Sequence, residues 1–210
     1  MSFDVSEQSD HPPKPQTENS WIEAAKTLGV SLLLAFGIRQ FVAEPRYIPS
    51  ESMVPTLAVN DRLMVEKISY LFNPPERLDI VVFWPPDRLK ELNPALKKDA
   101  FIKRVIGLPG EKVEVRDGKV FVNDVALVED YIAAKPNYQW GPQVIPENSY
   151  LVFGDNRNNS YDSHFWGYVP RENIIGRAAF RFWPLGRIGE IDQGDEAEKA
   201  ASEKPVPAAP

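Results

Sequence analysis

Two serines stand one residue apart in Tyr47-Ile48-Pro49-Ser50-Glu51-Ser52-Met53-Val54-Pro55-Thr56-Leu57, with a proline on either side of them. Each proline fixes its own φ and drives the residue before it toward extended backbone. A hydroxyl held there is presented on a stiff turn rather than on a helix, which suits a nucleophile. The same residues also make an ordinary Pro/Ser turn. The stretch therefore acquires meaning only from what lies elsewhere in the chain.

Lys103 is the first such partner. It sits inside the apolar run Ala100-Phe101-Ile102-Lys103-Arg104-Val105-Ile106. In a strand, Lys103 and Arg104 point to opposite faces, so one of the two charges is expected on the buried side. Apolar surroundings disfavour the ammonium form, lower the lysine pKa and free a neutral amine to act as a general base. Such an amine can take the proton of a serine hydroxyl, the serine–lysine form of an activated nucleophile. A lysine snorkelling at the surface is the plain alternative. A histidine triad is another: the chain has two histidines, His11 and His164, and His164 lies near Asp155 and Asp162 in sequence. No HExxH or paired-histidine spacing occurs, so neither a metal nor a cofactor is expected.

The third stretch runs from Gly154 through Asp155-Asn156-Arg157-Asn158-Asn159-Ser160-Tyr161-Asp162-Ser163-His164 to Pro170. Short Asn, Asp and Ser side chains bond to nearby backbone and hold irregular loops rigid. A loop of this kind could hold Lys103 in place through hydrogen bonds from Ser160 and its neighbours. An Asx-rich turn or calcium loop has similar composition, but the ending Phe165-Trp166-Gly167-Tyr168 favours packing into the domain.

The elements that must carry these residues are mostly strands. Residues 62–68, 78–84, 100–106, 112–116, 119–122, 150–155 and 176–183 read as short β runs. Asp117-Gly118 joins two of them as a hairpin turn. With no second long helix, the expected class is mainly β, with antiparallel sheets or a folded β-barrel as the catalytic domain, and one N-terminal transmembrane helix. That domain spans residues 44–191. Ahead of it, 20–43 is read as a membrane anchor, its uncharged core running from Thr27 to Ile38, with Lys26 and Arg39 reaching toward opposite interfaces. Residues 1–19 read as a disordered leader and 192–210 as a disordered acidic, Ala/Pro-rich tail.

Composition narrows the function further. The 210 residues are 43% hydrophobic and carry a formal net charge of -6, with no cysteine. That content is enough for a real core, and the charge argues against nucleic acid as a partner. Disulfides and thiolate zinc sites are excluded. Lys14 and Lys26 before the anchor nearly balance Arg39 and Arg46 after it, so the charge bias does not fix its orientation.

Taken in order, three motifs resemble the boxes of type I signal peptidases: Ile48-Pro49-Ser50-Glu51-Ser52-Met53-Val54-Pro55-Thr56-Leu57, Lys103-Arg104-Val105-Ile106-Gly107-Leu108-Pro109-Gly110-Glu111, and Gly154-Asp155-Asn156-Arg157 with Ser160 and Asp162-Ser163. Asp61-Arg62-Leu63 with Lys67 resembles the short box after the serine. The resemblance covers roughly residues 20–185. It implies a membrane-bound endopeptidase that removes signal peptides from exported preproteins and cleaves after small residues. By the same resemblance Ser52 matches the nucleophile and Lys103 the general base. Ser50 matches the residue whose hydroxyl joins the Ser52 N–H in stabilising the oxyanion. Ser160 matches the serine that orients the lysine, while Asp155, Arg157 and Asp162 match its supporting loop. Ile48, Pro49, Met53 and Ile102 fall where the family builds shallow pockets for small side chains.

The implied partners are signal-peptide-bearing preproteins and the lipid bilayer, with the protein translocation machinery as a further candidate. The implied location is a single-pass membrane protein with its catalytic domain on the extracytoplasmic side, periplasmic or lumenal. Two residues depart from the family pattern. Glu51 replaces a common glycine beside the nucleophile. His164 replaces a common arginine, so a salt bridge from that position to Asp155 or Asp162 is not assured. Two rivals remain, a tethered β-domain that binds peptides without cutting them and a self-cleaving regulator with the same serine–lysine pair.

Overall fold

Alternating burial along the predicted β runs builds two antiparallel sheets. The structure, a computed structural model, describes residues 20–194. The expected leader, and the tail from residue 195 onward, lie outside the described residues. The chain divides into two units, Met1–Ile38 and Arg39–Pro210.

Within the first unit, helix α1 (Ser20–Gly37) has every residue but one exposed and none buried, and Glu23 pairs with Lys26 at 2.7 Å. A continuous stretch from Ser20 to Val42 is long and apolar enough to cross a bilayer, because a short π-helical turn, Ile38–Val42, extends α1. The expected anchor ended at residue 43, but Ala43 already opens the first strand.

In the second unit the larger sheet has the order β1 (Ala43–Tyr47), β2 (Arg62–Glu66), β11 (Ile174–Trp183), β3 (Ile80–Phe83), β4 (Phe101–Gly107), β9 (Ser149–Phe153), β10 (Val169–Pro170). β12 (Gly189–Glu190) pairs with β11. Register shifts in β11 against β2 and β3, and in β4 against β9, add local twist. The sheet curls into an open half-barrel with β1 and β10 at its ends, so the expected mainly β antiparallel class holds without full closure.

The smaller sheet is ordered β7 (Val125–Ala126), β6 (Lys119–Val122), β5 (Lys112–Arg116), β8 (Trp140–Val144). Asp117 and Gly118 both take positive φ at the β5–β6 turn, the backbone that a two-residue hairpin requires. Helix α2 (Ser69–Phe72) follows β2, and between β3 and β4 the chain forms helix α3 (Asp87–Leu92) and a 3₁₀ turn, Pro94–Lys98. Only Leu89 of α3 is buried.

Three apolar clusters hold this unit together. One lies beneath the serine segment and contains Ile48, Met53, Leu57, Leu63, Ile80, Ala178 and Ile191. A second, built around Phe83, Leu89, Val105 and Trp166, packs α3 and α4 (Ser163–Trp166) onto the large sheet. The third joins the two sheets through residues such as Ile106, Val113, Val122, Leu151 and Phe153. Gln193, expected in the tail, is tied to the large sheet. Its side-chain carbonyl accepts the Ile80 N–H at 2.7 Å, and its amide donates to the Ala178 carbonyl at 2.8 Å.

Candidate active site

Ser52 lies in the connection between β1 and β2, which is pinned at both ends. The Ile48 N–H donates to the Asp61 carbonyl and the Asn60 N–H to the Ile48 carbonyl, both at 2.9 Å. Between them the chain turns, with the Leu57 N–H reaching the Met53 carbonyl at 2.9 Å. Met53 and Leu57 are fully buried, so the residue next to Ser52 acts as a plug that fixes it. The Ser52 carbonyl accepts the Asn156 N–H at 3.1 Å, and the Glu51 carbonyl accepts the Asn156 side-chain amide at 3.2 Å. The polar loop thereby clamps the serine segment from the other side.

Gly154 makes that clamp possible. A Cβ at this position would stand 2.3 Å from Ser160 Oγ and 2.4 Å from the Ser52 carbonyl oxygen. The end of β9 can approach Ser52 so closely because it carries no side chain there.

Lys103 reaches Ser52 from β4. Its Nζ lies 2.8 Å from Ser52 Oγ and donates to the Ile102 carbonyl at 2.9 Å. The amine is wholly buried, and desolvation lowers it from its ordinary value to about 8, against opposing fields from Asp162 and Asp155. Ser50 Oγ is 3.4 Å from Ser52 Oγ, on the edge of the same site. This arrangement can deprotonate a hydroxyl near neutral pH and direct it at an acyl carbon.

Sequence alternation implied one buried charge at 103–104, whereas both residues are buried. Each face of β4 is covered. Lys103 meets the serine segment, and Arg104 enters the opposite side. Arg104 forms a two-pronged pair with Asp155 at 2.9 and 2.8 Å and donates to the Leu78 carbonyl at 3.0 Å. Thr56 donates to the same carboxylate at 2.6 Å. Asp155 thus links the serine segment, β4 and the polar loop.

Asp162 accepts the Gly154 N–H at 2.9 Å, and Arg157 donates to the Gly154 carbonyl at 3.2 Å, so both ends of that glycine are held. Arg157 is itself paired with Glu129. Glu129 has no signature in the sequence: it lies 28 residues from its partner in an unpatterned segment.

Other expected residues fall in different places. Ser160 is buried beside Gly154, but its hydroxyl has no partner among the described residues. The bonds of the lysine amine go to Ser52 and to the carbonyl of its own neighbour. His164 does not meet Ser52. Its ring stacks on Tyr138 at 4.2 Å, and Nδ1 lies 2.6 Å from Asp162 Oδ1, so the polar contact of position 164 with Asp162 is kept.

A groove of about 720 Å³ opens over Ser52 and Lys103. Pro45, Arg46 and Tyr47 of β1 line one part of it, Ala100–Lys103 another, and Pro49, Ser50, Glu51 and Ser52 its base. Of the four expected pocket residues, Pro49 and Ile102 line this groove. Ile48 and Met53 do not; they point into the core cluster below, where their burial supports the wall rather than forming it.

A family model described as signal peptidase, peptidase S26, matches residues 21–183. Signal peptidase I of Leptolyngbya laminosa is 64% identical over 178 residues, covering 85% of this chain and 87% of that protein. Probable signal peptidase I-2 of Synechocystis is 56% identical over 200 residues, covering 95% and 88% respectively. Thylakoidal processing peptidase 1, chloroplastic, of Arabidopsis thaliana is 44% identical over 177 residues, 83% of this chain and 52% of that protein.

Proposed function

The chain belongs to the signal peptidase family, peptidase S26, and on that premise we propose that it cuts signal peptides from preproteins with Ser52 as nucleophile and Lys103 as general base. It is a serine peptidase. The observation that carries the assignment of roles is the 2.8 Å approach of a buried, desolvated amine to a serine hydroxyl.

The substrate enters as an extended segment. β4 pairs with β9 only from Arg104 onward, so Phe101–Lys103 keeps one edge unpaired among the described residues. β1 pairs with β2 alone, and its residues line the same groove. An extended peptide can add main-chain hydrogen bonds to such edges. Pro49 and Ile102 offer shallow apolar walls, which favour small side chains near the cut.

Neutral Lys103 takes the Ser52 proton as Oγ attacks the scissile carbonyl. The Ser50 hydroxyl and the Ser52 N–H hold the developing oxyanion; donors of this kind are each worth about 2.7–4 kcal/mol. The lysine then passes its proton to the leaving amine, which departs as the new N-terminus of the mature protein. Water, deprotonated by Lys103, attacks the ester and releases the signal peptide. Ser160, buried and unpartnered next to Gly154, is the group to orient the amine during this cycle. Asp155, Arg157 and Asp162 hold the loop that carries it. Residues 20–42 anchor the enzyme in the membrane, with the catalytic unit on the extracytoplasmic side.

The test is cleavage of a model preprotein by the full chain, with the cut bond mapped by mass spectrometry. Ser52→Ala should abolish cleavage and Lys103→Met should do the same, while circular dichroism shows both variants folded. Turnover retained by Ser52→Ala would end the assignment.

A further inference from the structure

Glu51 stands next to Ser52 on the floor of the groove with its charge unmatched. Its carboxylate accepts one long bond, from the Asn159 side-chain amide at 3.4 Å, and no cation pairs with it among the described residues. The residue is exposed, yet its backbone is fixed. The Glu51 carbonyl accepts the Val54 N–H at 3.1 Å and the Asn156 side-chain amide at 3.2 Å. The carboxylate is thereby aimed at the polar loop and left open to whatever lies in the groove.

The other charges of the groove are placed differently. Arg46 is matched by Glu44 and lies over the Trp84 ring at 5.6 Å. The Lys103 amine is turned to Ser52. Asp99 comes with Ala100 and Phe101, from the chain leading into β4. Asn159 and Tyr161 of the polar loop line the end that Glu51 faces. The Tyr161 ring is 41% exposed and packs at a tilt against Phe165, with 5.3 Å between ring centres. An open carboxylate and an open aromatic face at one end of a groove are the chemistry that receives a cationic side chain.

We propose that Glu51 reads the mature side of the cleavage site, favouring a lysine or arginine among the first two residues after the cut and disfavouring aspartate or glutamate there. The proposal rests on the reading of Ser52 and Lys103 as nucleophile and base. The acyl side of the peptide lies along the edges of β1 and Phe101–Lys103, where Pro49 and Ile102 meet its small side chains. The residues that follow the cut then leave past Glu51, Asn159 and Tyr161. A cation there gains an ion pair and an aromatic face, whereas a carboxylate meets a like charge. The end of the groove is open to solvent, so each effect has the size of an exposed pair, about threefold to fivefold, and salt screens it. Attraction and repulsion at one position combine to a contrast of about tenfold between a lysine and a glutamate substrate.

The test is kcat/KM of the full chain on quenched peptides with a signal cleavage site. One residue at a time is made lysine or glutamate: the first, second or sixth after the cut, or the second before it. At the first or second position the wild type should prefer lysine about tenfold in about 0.05 M salt, and less than about threefold in about 0.5 M. Glu51→Gln should bring the low-salt preference within about twofold, and Glu51→Lys should reverse it. Each ratio is taken within one protein, so a smaller folded fraction cancels, and the Gln variant decides alone if the Lys variant turns over too slowly. A wild type that treats lysine and glutamate alike at both positions would overturn the proposal, as would a preference that Glu51→Gln leaves unmoved. An equal preference at the sixth residue would assign the effect to the net charge of the molecule, and one confined to the acyl side would put Glu51 on the wrong side of the cut. Either result overturns it. Peptides with no Ser52-dependent turnover at all would instead overturn the nucleophile assignment, and this proposal with it.

Discussion

At the scale of single residues, the proposed mechanism turns on the proton of Lys103. Burial brings the amine down to about 8, so the neutral base grows in as pH rises through that value. The kcat/KM of the free enzyme should therefore climb about tenfold per unit on its acid side and flatten above pH 8. The same shift has a stability consequence of definite sign. The folded value lies below the ordinary 10.5, so between about 8 and 10.5 the unfolded chain holds more protons than the folded one. Stability should rise with pH across that window and gain nothing from this group below it. Lys103→Met should remove the rise, of the order of 3 kcal/mol, and be no less stable than wild type at pH 7. Denaturant titrations of both proteins at pH 7.5 and 10 check this. A Met variant that keeps the full rise would assign it to another group.

At the scale of elements, one glycine decides whether the serine segment and the polar loop can meet. Gly154→Ala puts a methyl into atoms 2.3 and 2.4 Å away, one of them backbone. Overpacking of this kind typically costs about 1–3 kcal/mol, and here relief requires Ser52 or Ser160 to move. The variant should unfold at lower denaturant and lose at least tenfold in kcat/KM. Unchanged kinetics would mean that the loop does not hold Ser52.

Most of the fold could be read from the sequence, because β2, β4, β5, β6, β9 and β11 carry alternating or continuous apolar runs. β1 and β8 escaped because each contains a proline and β1 also two charges. Both are end strands of their sheets, where a missing N–H is tolerated. The approach of Lys103 to Ser52 was legible because Lys103 interrupts an apolar run, which flags a side chain that needs a reason to be buried. Thr56, Arg104 and Glu129 were not, since their roles exist only through partners 28 to 99 residues away.

At the scale of the molecule, the catalytic unit and the apolar helix are joined at residues 38–39. Near-equal basic counts on either side of the helix leave orientation to experiment. The absence of cysteine makes that experiment direct. Val128→Cys places a thiol on a half-exposed site of the catalytic unit, remote in sequence from the dyad. With the catalytic unit outside the cytoplasm, a membrane-impermeant maleimide should label this thiol in right-side-out vesicles and spare it in sealed inverted ones. The opposite pattern would place the catalytic unit in the cytoplasm.

One feature of β4 bears on how the enzyme tolerates change. Its neighbouring cations serve opposite sides of the sheet, the amine toward Ser52 and the guanidinium toward Asp155. A one-residue slip of that strand against its partners would turn the guanidinium toward the serine, and a guanidinium never gives up its proton. Insertions or deletions between β3 and β4 should therefore produce either full activity or none, with few partly active forms between.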